Sequence, residues 1–352
     1  MKYKELVIGD LIAKVPVIQG GMGMGVSLSG LAGAVAREGG VGIISTAQIG
    51  YREPDYEKNP VEANLRAIGT EIDKAREIAC GNGIVGVNIM VATRYYERYI
   101  EAACKAGVDL IISGAGLPVD LPKLTENYNV KLAPIVSSVK SVSVILKMWE
   151  RKYNRVPDLI VIEGPLAGGH LGFKEEEVLS ITREDYNKEI LGIMKVTAEY
   201  AAKHDCKIPV VVAGGVSDAE KVAEMMELGA DGVQIASRFV TTYECDAAQA
   251  YKDMYLNAKK EDIIIVKSPV GMPGRAIRNK FIEDTKNGVQ AVKKCYQCIK
   301  NCNSVDIPYC ISRALINAVK GNVDEGLIFC GADAWQQNKM QSVKEVIEEL
   351  FA

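Results

Sequence analysis

Residues 207–239 read KIPVVVAGGVSDAEKVAEMMELGADGVQIASRF and contain one complete strand–helix–strand pattern. Val210–Ala213 and Val233–Ala236 are short apolar runs rich in β-branched residues, and Ala219–Leu228 between them has the apolar spacing of an amphipathic helix. Near-continuous apolar strands joined by a helix-length crossover are typical of a parallel sheet that is covered on both faces. This stretch therefore predicts an α/β fold.

The same pattern recurs along the first 240 residues, which contain eight apolar runs. Besides the two just named, the runs are Val15–Gln19, Gly42–Ser45, Val85–Met90, Asp109–Ser113, Leu132–Val136 and Leu159–Glu163. Eight strand–helix units fit a closed (βα)8 barrel, or TIM barrel, better than an open doubly wound sheet. We expect a TIM barrel over residues 1–240, followed by a mainly helical C-terminal extension.

The extension, residues 241–352, follows the barrel without a Pro- or Ser-rich linker, so we expect it to pack on the barrel. Its apolar spacing predicts helices over Cys245–Lys259, Ser312–Val319 and Ser342–Leu350. A short apolar run, Ile263–Val266, precedes a charged segment, residues 272–287, that is punctuated by Pro and Gly.

The composition is that of an ordinary globular protein: 352 residues, 48% hydrophobic and 25% charged. The formal net charge of −3 gives no reason to expect nucleic acid or an anionic membrane as a partner. The first residues lack the layout of a secretory signal, and no apolar run reaches the roughly 18 residues of a membrane span. We expect a cytoplasmic protein that acts on a small molecule, and a homodimer is compatible with the sequence.

Small and polar residues gather where the predicted strands end. Ser45, Asn88 and Ser113 lie at three such ends, and Gly168-Gly-His170 lies just past a fourth. Glycine and serine are also ordinary turn residues, which would explain any one loop alone. Because the same bias occurs after all eight strands, it favours an active face at the C-terminal end of the barrel.

The last two strand ends have the features of a phosphate site. Gly214-Gly215 follows the seventh run, and Ser237-Arg238 follows the eighth. Barrels commonly hold a phosphate between these two loops, where glycine permits close backbone approach and Ser237 offers a hydroxyl. Arg238 could supply charge to the phosphate or form a structural ion pair. This pairing indicates a barrel that binds FMN or a sugar phosphate.

Six segments together resemble the nitronate monooxygenase (2-nitropropane dioxygenase) family, and equally its sister, the FMN-dependent enoyl-ACP reductase of the second type. The resemblance covers roughly residues 10–280, and its segments are, in order, Gln19-Gly-Gly-Met22, Gly86-Val-Asn88-Ile-Met90, Ser113-Gly-Ala-Gly116, Glu163-Gly-Pro-Leu-Ala-Gly-Gly-His170, Ala213-Gly-Gly215 and Val233-Gln-Ile-Ala-Ser-Arg-Phe239. The resemblance implies a TIM barrel with FMN at its C-terminal face. The flavin contacts that it implies are Gly21, Met22, Asn88, Glu163, Gly168, Gly215, Gln234, Ala236 and Ser237.

The sequence departs from that family pattern at two places. The family usually has Gly-Thr where this chain has Ala236-Ser237, a change that keeps a hydroxyl. It often has Gln at the position of Glu163, and a carboxylate there would change the polarity that the flavin experiences.

The chain has two histidines, and their surroundings suggest different roles. His204 lies at a predicted helix end, where the helix dipole favours a cation, so we expect a surface residue. His170 lies in a glycine-flanked loop of the expected active face. Imidazole titrates near neutrality and can carry a proton in either direction, which flavin chemistry requires. We therefore expect His170 to be the catalytic residue.

Four of the nine cysteines are clustered in the extension. Cys295, Cys298, Cys302 and Cys310 lie within 16 residues, whereas residues 246–294 contain no cysteine. The first three spacings resemble the cluster loop of dienoyl-CoA reductase-type flavoenzymes. A [4Fe–4S] cluster or zinc would both accept four thiolates, and unligated thiols are the alternative, because the spacing is not that of a ferredoxin. We expect a metal centre here, most readily a [4Fe–4S] cluster.

These patterns leave several functions open. The leading hypothesis is an FMN-dependent oxidoreductase that oxidises alkyl nitronates with O2. The alternative is an FMN-dependent reductase of enoyl-ACP or other enoyl thioesters that uses NAD(P)H or another electron donor. A phosphate-binding barrel without flavin and a non-catalytic flavin-binding protein also fit the pattern. His170 serves as a base, or as a cation bound to nitro oxygens, in the first case and as a proton donor in the second.

Overall fold

The computed structural model describes residues 2–286, 288, 292, 294–300, 302–303 and 307–352. Within them, eight parallel strands close into a barrel, each joined to the next by at least one helix or helical turn. After an N-terminal hairpin, β1 (Leu6–Ile8) and β2 (Leu11–Ala13), the barrel strands are β3 (Val17–Gln19), β4 (Val41–Ser45), β5 (Ile84–Met90), β6 (Leu110–Gly114), β7 (Lys131–Val136), β8 (Ile160–Glu163), β10 (Val210–Ala213) and β11 (Gly232–Ile235). The predicted TIM barrel is confirmed.

The helices that surround the barrel fall in the predicted crossovers. They are α1 (Ser29–Arg37), α2 (Pro60–Ala79), α3 (Tyr96–Lys105), α4 (Leu121–Leu124), α5 (Val139–Tyr153), α6 (Glu175–Ser180), α7 (Arg183–Lys203), α8 (Ala219–Leu228) and α9 (Ser237–Val240), with a 3-10 turn at Ile49–Arg52. The closest approach is between α1 and β4. A Cβ at Gly42 would lie 1.8 Å from the carbonyl oxygen of Ala32, so only glycine permits this packing.

The hairpin β1–β2 closes the N-terminal end of the barrel, a role that the sequence pattern did not predict. Leu6 and Ile8 are fully buried and share one apolar cluster with inward-facing strand residues such as Ile43, Leu110 and Val161. This end of the barrel is therefore filled by side chains, and the opposite, C-terminal end is left for a site.

The extension is attached to the barrel through a three-stranded antiparallel sheet. Its elements are α10 (Gln249–Asn257), β12 (Ile263–Lys267), β13 (Pro273–Ile277), α11 (Lys280–Lys286), α12 (Ile311–Val319) and α13 (Val343–Phe351), with 3-10 turns at Lys260–Asp262, Val323–Glu325 and Ala334–Gln336. Strand β13 pairs on one side with β12 and on the other with β9 (Gly169–His170), which belongs to the loop after β8.

Three predicted helices of the extension are present, with shifted ends. The first begins at Gln249 rather than Cys245 and ends at Asn257. Strand β13 was not predicted, because its segment is rich in charge, Pro and Gly. Among the described residues, no helix combines the length and the apolar character that crossing a membrane requires.

Candidate functional site

A cavity of about 830 Å³ opens at the C-terminal ends of the barrel strands. It is lined by loops that follow the barrel strands and by residues of the extension, among them Val270, Cys298 and Phe329. Its lining includes His170 and all nine residues expected to contact a flavin: Gly21, Met22, Asn88, Glu163, Gly168, Gly215, Gln234, Ala236 and Ser237. Residues up to 216 positions apart in sequence therefore lie around one space.

One end of the cavity is formed by backbone in a conformation that favours glycine. Gly214 and Gly215, after β10, take φ angles of 93° and 78°, which strongly favour glycine. The hydroxyl of Ser237 accepts a hydrogen bond of 2.8 Å from the backbone N–H of Gly331. The extension thus supplies the third side of the expected phosphate site, a contribution that no sequence pattern indicated.

Arg238 turns away from this end and makes structural contacts. Its guanidinium donates to the amide oxygen of Gln341 at 2.6 Å and forms an ion pair with Glu349 of α13. The side chain is buried in these contacts. Of the two roles considered for Arg238, the structure shows the ion pair.

Three polar side chains project into the cavity from different strands: Asn88 from β5, Glu163 from β8 and Gln234 from β11. Within the described residues, none of the three side chains has a hydrogen-bond partner. Burial raises the pKa of Glu163 to about 7. Buried polar groups are normally paired, so these three have hydrogen-bonding capacity left for a ligand.

The loop after β3, which contains Gly21 and Met22, packs closely against Asn88. A Cβ at Gly21 would lie 2.5 Å from the Cβ of Asn88, so a larger residue would displace that amide. The next residue, Met22, is held by its backbone N–H, which donates to the hydroxyl of Ser27 at 2.8 Å.

The loop between β8 and β9 is held in place by the extension. Arg275 of β13 is buried and donates to the carbonyl oxygens of Pro165, at 2.9 Å, and Ala167. A Cβ at Gly168 would lie 2.6 Å from the backbone of Cys330, which explains the glycine there. The glycine-flanked loop is therefore an ordered part of the cavity wall.

His170 lies at the end of this loop. Its Nε2 is 2.7 Å from the hydroxyl oxygen of Ser268, and its ring packs edge-on against Phe329 with 5.0 Å between centroids. Burial lowers its pKa to about 4, so the ring is neutral at pH 7. The sequence led us to expect that His170 titrates near neutrality. That expectation is wrong, because burial disfavours the charged ring.

His204 is the C-cap residue of α7, so it lies at a helix end as the sequence predicted. Its Nε2 lies 2.7 Å from Oε1 of Glu150. It does not line the cavity, which leaves His170 as the histidine of the site.

The four clustered cysteines lie beside the cavity. Cys298 and Cys302 line its rim, Cys295 is exposed, and Cys310 precedes α12. In the part of the chain that the structure describes, no three His, Cys, Asp or Glu side chains are close enough to hold a single metal ion as they stand. Metal binding at these cysteines stays a prediction.

The site residues that sequence reasoning missed come from the extension. They include Ser268, Phe329 and Gly331. A serine, a phenylalanine and a glycine carry no signal of chemistry on their own. Only their position against β9 and α9 gives them a role.

Comparison with known proteins places the chain in a family. The family model described as nitronate monooxygenase matches residues 4–352. A probable nitronate monooxygenase of Staphylococcus saprophyticus is 26% identical over 303 residues, covering 80% of this chain and 81% of the relative. A protein of the same description from Staphylococcus aureus is 26% identical over 318 residues, with 81% of each covered.

Solved structures share the fold at low identity. FabK from Thermotoga maritima superposes with a TM-score of 0.70 at 22% identity, covering 96% of this chain and 91% of that one. Nitroalkane oxidase from Streptomyces ansochromogenes gives a TM-score of 0.70 at 16% identity, covering 96% and 94%. Since the family model spans nearly the whole chain, the protein belongs to the nitronate monooxygenase family and is an oxidoreductase.

Proposed function

We propose that the cavity binds FMN and that the protein oxidises alkyl nitronates with O2. The observation that carries this proposal is the set of unpartnered polar side chains, Asn88, Glu163 and Gln234, that line one cavity with His170. FMN use is typical of the family. Bound flavin would supply the two-electron redox chemistry that protein side chains lack.

The cavity fits a flavin mononucleotide in size and in polarity. A volume of about 830 Å³ is within the range of pockets that enclose cofactors. Gly214-Gly215 and the hydroxyl of Ser237 would face the phosphate, since positive-φ glycines let the backbone approach an anion closely. The amides and the carboxyl at the strand ends would pair with the donors and acceptors of the ring and the ribityl chain.

His170 would accept the proton that a nitroalkane loses when it forms the nitronate. A ring with a pKa of about 4 is neutral at pH 7 and can accept a proton, whereas it is rarely protonated and is a poor resting proton donor. We assign Nε2–H to donate to Ser268, which leaves Nδ1, without a partner among the described residues, as the basic atom. A neutral base favours a nitroalkane, whose carbon it can deprotonate to the nitronate, over an enoyl thioester, which needs a proton donor.

The experiment that tests the proposal measures two reactions on one preparation. O2 uptake with an alkyl nitronate is compared with NAD(P)H oxidation in the presence of an enoyl thioester, and bound flavin is released by acid and identified. We expect about one FMN per chain and O2 uptake with the nitronate. Well-folded protein whose released cofactor is not a flavin would contradict the proposal.

One observation supports the alternative, reduction of an enoyl thioester. Apolar residues line part of the cavity, among them Leu117 from the loop after β6 and Val270 and Leu315 from the extension, and such a lining suits an acyl chain. If NAD(P)H oxidation with the thioester exceeds O2 uptake with the nitronate, this alternative replaces the first proposal, and His170 then acts as proton donor.

A further inference from the structure

The cysteine loop, which we define as residues 294–300, is fixed to the barrel. The backbone N–H of Arg94 donates to the carbonyl of Cys298 at 3.1 Å, and that of Lys300 donates to the carbonyl of Ala92 at 3.0 Å. Between these bonds Thr93 and Ile299 form an antiparallel bridge. The thiols of the loop therefore have a defined place beside the loop after β5.

The loop is anchored at its other end by an aromatic and an ionic contact. The rings of Tyr56 and Tyr296 stack with 5.4 Å between centroids, and Lys294 forms an ion pair of 2.9 Å with Glu57. Contacts on both sides of Cys295 and Cys298 fix the spacing of their thiols.

The turn between Cys295 and Cys298 has the form that thiolate sites use. Gln297 takes a φ of 54°, and its backbone N–H points to Sγ of Cys295 at 3.4 Å. The left-handed backbone conformation is uncommon for residues other than glycine, so surrounding contacts must hold Gln297 in this turn. An N–H directed at sulfur stabilises a thiolate, which accepts hydrogen bonds better than a thiol.

The other two cysteines complete a group of four. The thiols of Cys295, Cys298, Cys302 and Cys310 interact electrostatically in every pairing. The four thiols therefore form one group, although they come from positions up to 15 residues apart. Thiolates bind metals, and a bound metal would replace the thiol protons.

Two further features around the group favour anionic sulfur. Cys310 is the N-cap residue of α12, and the N–H groups of Ser312 and Arg313 point to its thiol. The hydroxyl of Ser312 is fully buried beside the thiol of Cys298 and has no other hydrogen-bond partner among the described residues. A buried hydroxyl is costly when unpaired, and a metal-bound thiolate of Cys298 would accept its hydrogen bond.

We propose that Cys295, Cys298, Cys302 and Cys310 ligate a [4Fe–4S] cluster at the rim of the cavity. A single zinc ion with bonds of about 2.3 Å needs thiolates roughly 4 Å apart. Each thiolate of an iron–sulfur cube binds a different iron, so its ligands stand further apart. The described side chains are not close enough to hold a single ion, and the four thiols, which interact at longer range in every pairing, favour the cube over zinc. Arg94 lies near Cys302 and Arg313 near Cys310, and both would offset the negative charge of the cluster.

The position of the cluster indicates its use. Cys295 is exposed at the surface, while Cys298 and Cys302 line the cavity. The cluster would connect a one-electron carrier protein outside with a flavin inside, a role that rests on the proposed flavin and serves the reductase alternative, because nitronate oxidation with O2 needs no outside electron donor. Occupancy of the cysteines by iron does not rest on it.

The test is metal and flavin analysis of the full chain, purified without oxygen and, in parallel, reconstituted with ferrous iron and sulfide. We expect about four iron atoms and four sulfides per chain, with the broad visible absorption of an iron–sulfur cluster. Flavin is counted separately on the same sample, so loss of flavin and loss of iron are distinguishable. Protein that binds neither iron nor sulfide, or that holds one zinc and no iron, would overturn the assignment.

Variants locate the iron. Cys295→Ser changes an exposed thiol and should lose most of the iron with an unchanged melting temperature, whereas Cys206→Ser, at another exposed thiol, should keep all of it. Cys298→Ser should also lose the iron. If Cys298→Ser fails to fold, the iron content of Cys295→Ser alone tests the assignment. Full iron content in Cys295→Ser would show that these cysteines are not the ligands.

Discussion

His170 and Ser268 are 98 residues apart in sequence, yet Nε2 of the histidine lies 2.7 Å from the hydroxyl oxygen of the serine. The contact exists because β9, which contains His170, pairs with β13, and Ser268 lies in the turn between β12 and β13. The extension therefore orients the one histidine of the cavity. The first two predictions concern this pair.

We expect His170→Ala to keep FMN and to lose turnover by roughly 100- to 10,000-fold, the range for loss of a general acid or base. The loss should be smaller with a pre-formed nitronate, because the anion needs no proton abstraction. Steady-state O2 uptake with a nitroalkane and with its nitronate measures both effects. His204→Ala is the matched control and should retain wild-type turnover, since His204 does not line the cavity. Unchanged rates in His170→Ala would assign His170 to structure.

Ser268→Ala should lower turnover by about 5- to 100-fold, because it leaves a buried ring nitrogen without its partner at a cost of about 1–3 kcal/mol. The same substitution should alter the pH profile of kcat, which a merely structural role would not. Ser268→Thr keeps the hydroxyl and should restore much of the rate. If Ser268→Ala reproduces the wild-type pH profile, the hydrogen bond does not position the base.

Glu163→Gln should stabilise the flavin-free protein as the pH rises. The pKa of Glu163 in the folded protein is about 7, above its ordinary value of 4.5, so the folded state binds more protons between these values. Wild-type stability is therefore lost as the pH rises through this window, and the neutral amide avoids the loss. Denaturant unfolding should show equal stability near pH 4 and a gain on the order of 1 kcal/mol above pH 7 for the variant.

The control for this prediction is Glu199→Gln on the exposed face of α7. Its difference from the wild type should not change with pH in the same window. An identical pH dependence in Glu163→Gln and the wild type would mean that the carboxyl is well solvated in the cavity.

Gly215→Ala should lower FMN affinity at least 10-fold, whereas Gly81→Ala should not change it. The two glycines have nearly equal φ angles, 78° and 79°, so both substitutions cost about 1–2 kcal/mol of backbone strain. A Cβ at Gly81 meets nothing within 4 Å, while one at Gly215 would lie 2.8 Å from Cδ1 and 3.0 Å from Cβ of Leu166, which lines the cavity. Flavin titration of the apoproteins, with melting temperatures to correct for strain, separates crowding from backbone cost. Equal affinities would remove Gly215 from the phosphate site.

The barrel and most of its rim follow from local sequence patterns. Apolar β-branched runs such as Val210–Ala213 are strands in any parallel sheet, and their boundaries were predicted to within about two residues. Because the C-terminal ends of all barrel strands meet at one face, residues that follow them, such as Asn88 and Gln234, had to converge on one cavity. Local pattern was sufficient to predict the strands and the cavity, because in a closed barrel the strands are arranged around the axis in the order in which they occur along the chain.

Tertiary packing decides what surrounds His170 and the Gly214-Gly215 end of the cavity. Ser268, Phe329 and Gly331 come from the extension, whose attachment through β13 depends on pairing between segments about a hundred residues apart. The same packing buries His170 and lowers its pKa to about 4, so its imidazole is neutral at pH 7 instead of titrating near neutrality. Desolvation and long-range strand pairing depend on which distant segments cover a residue, and the local sequence around His170 does not contain that information.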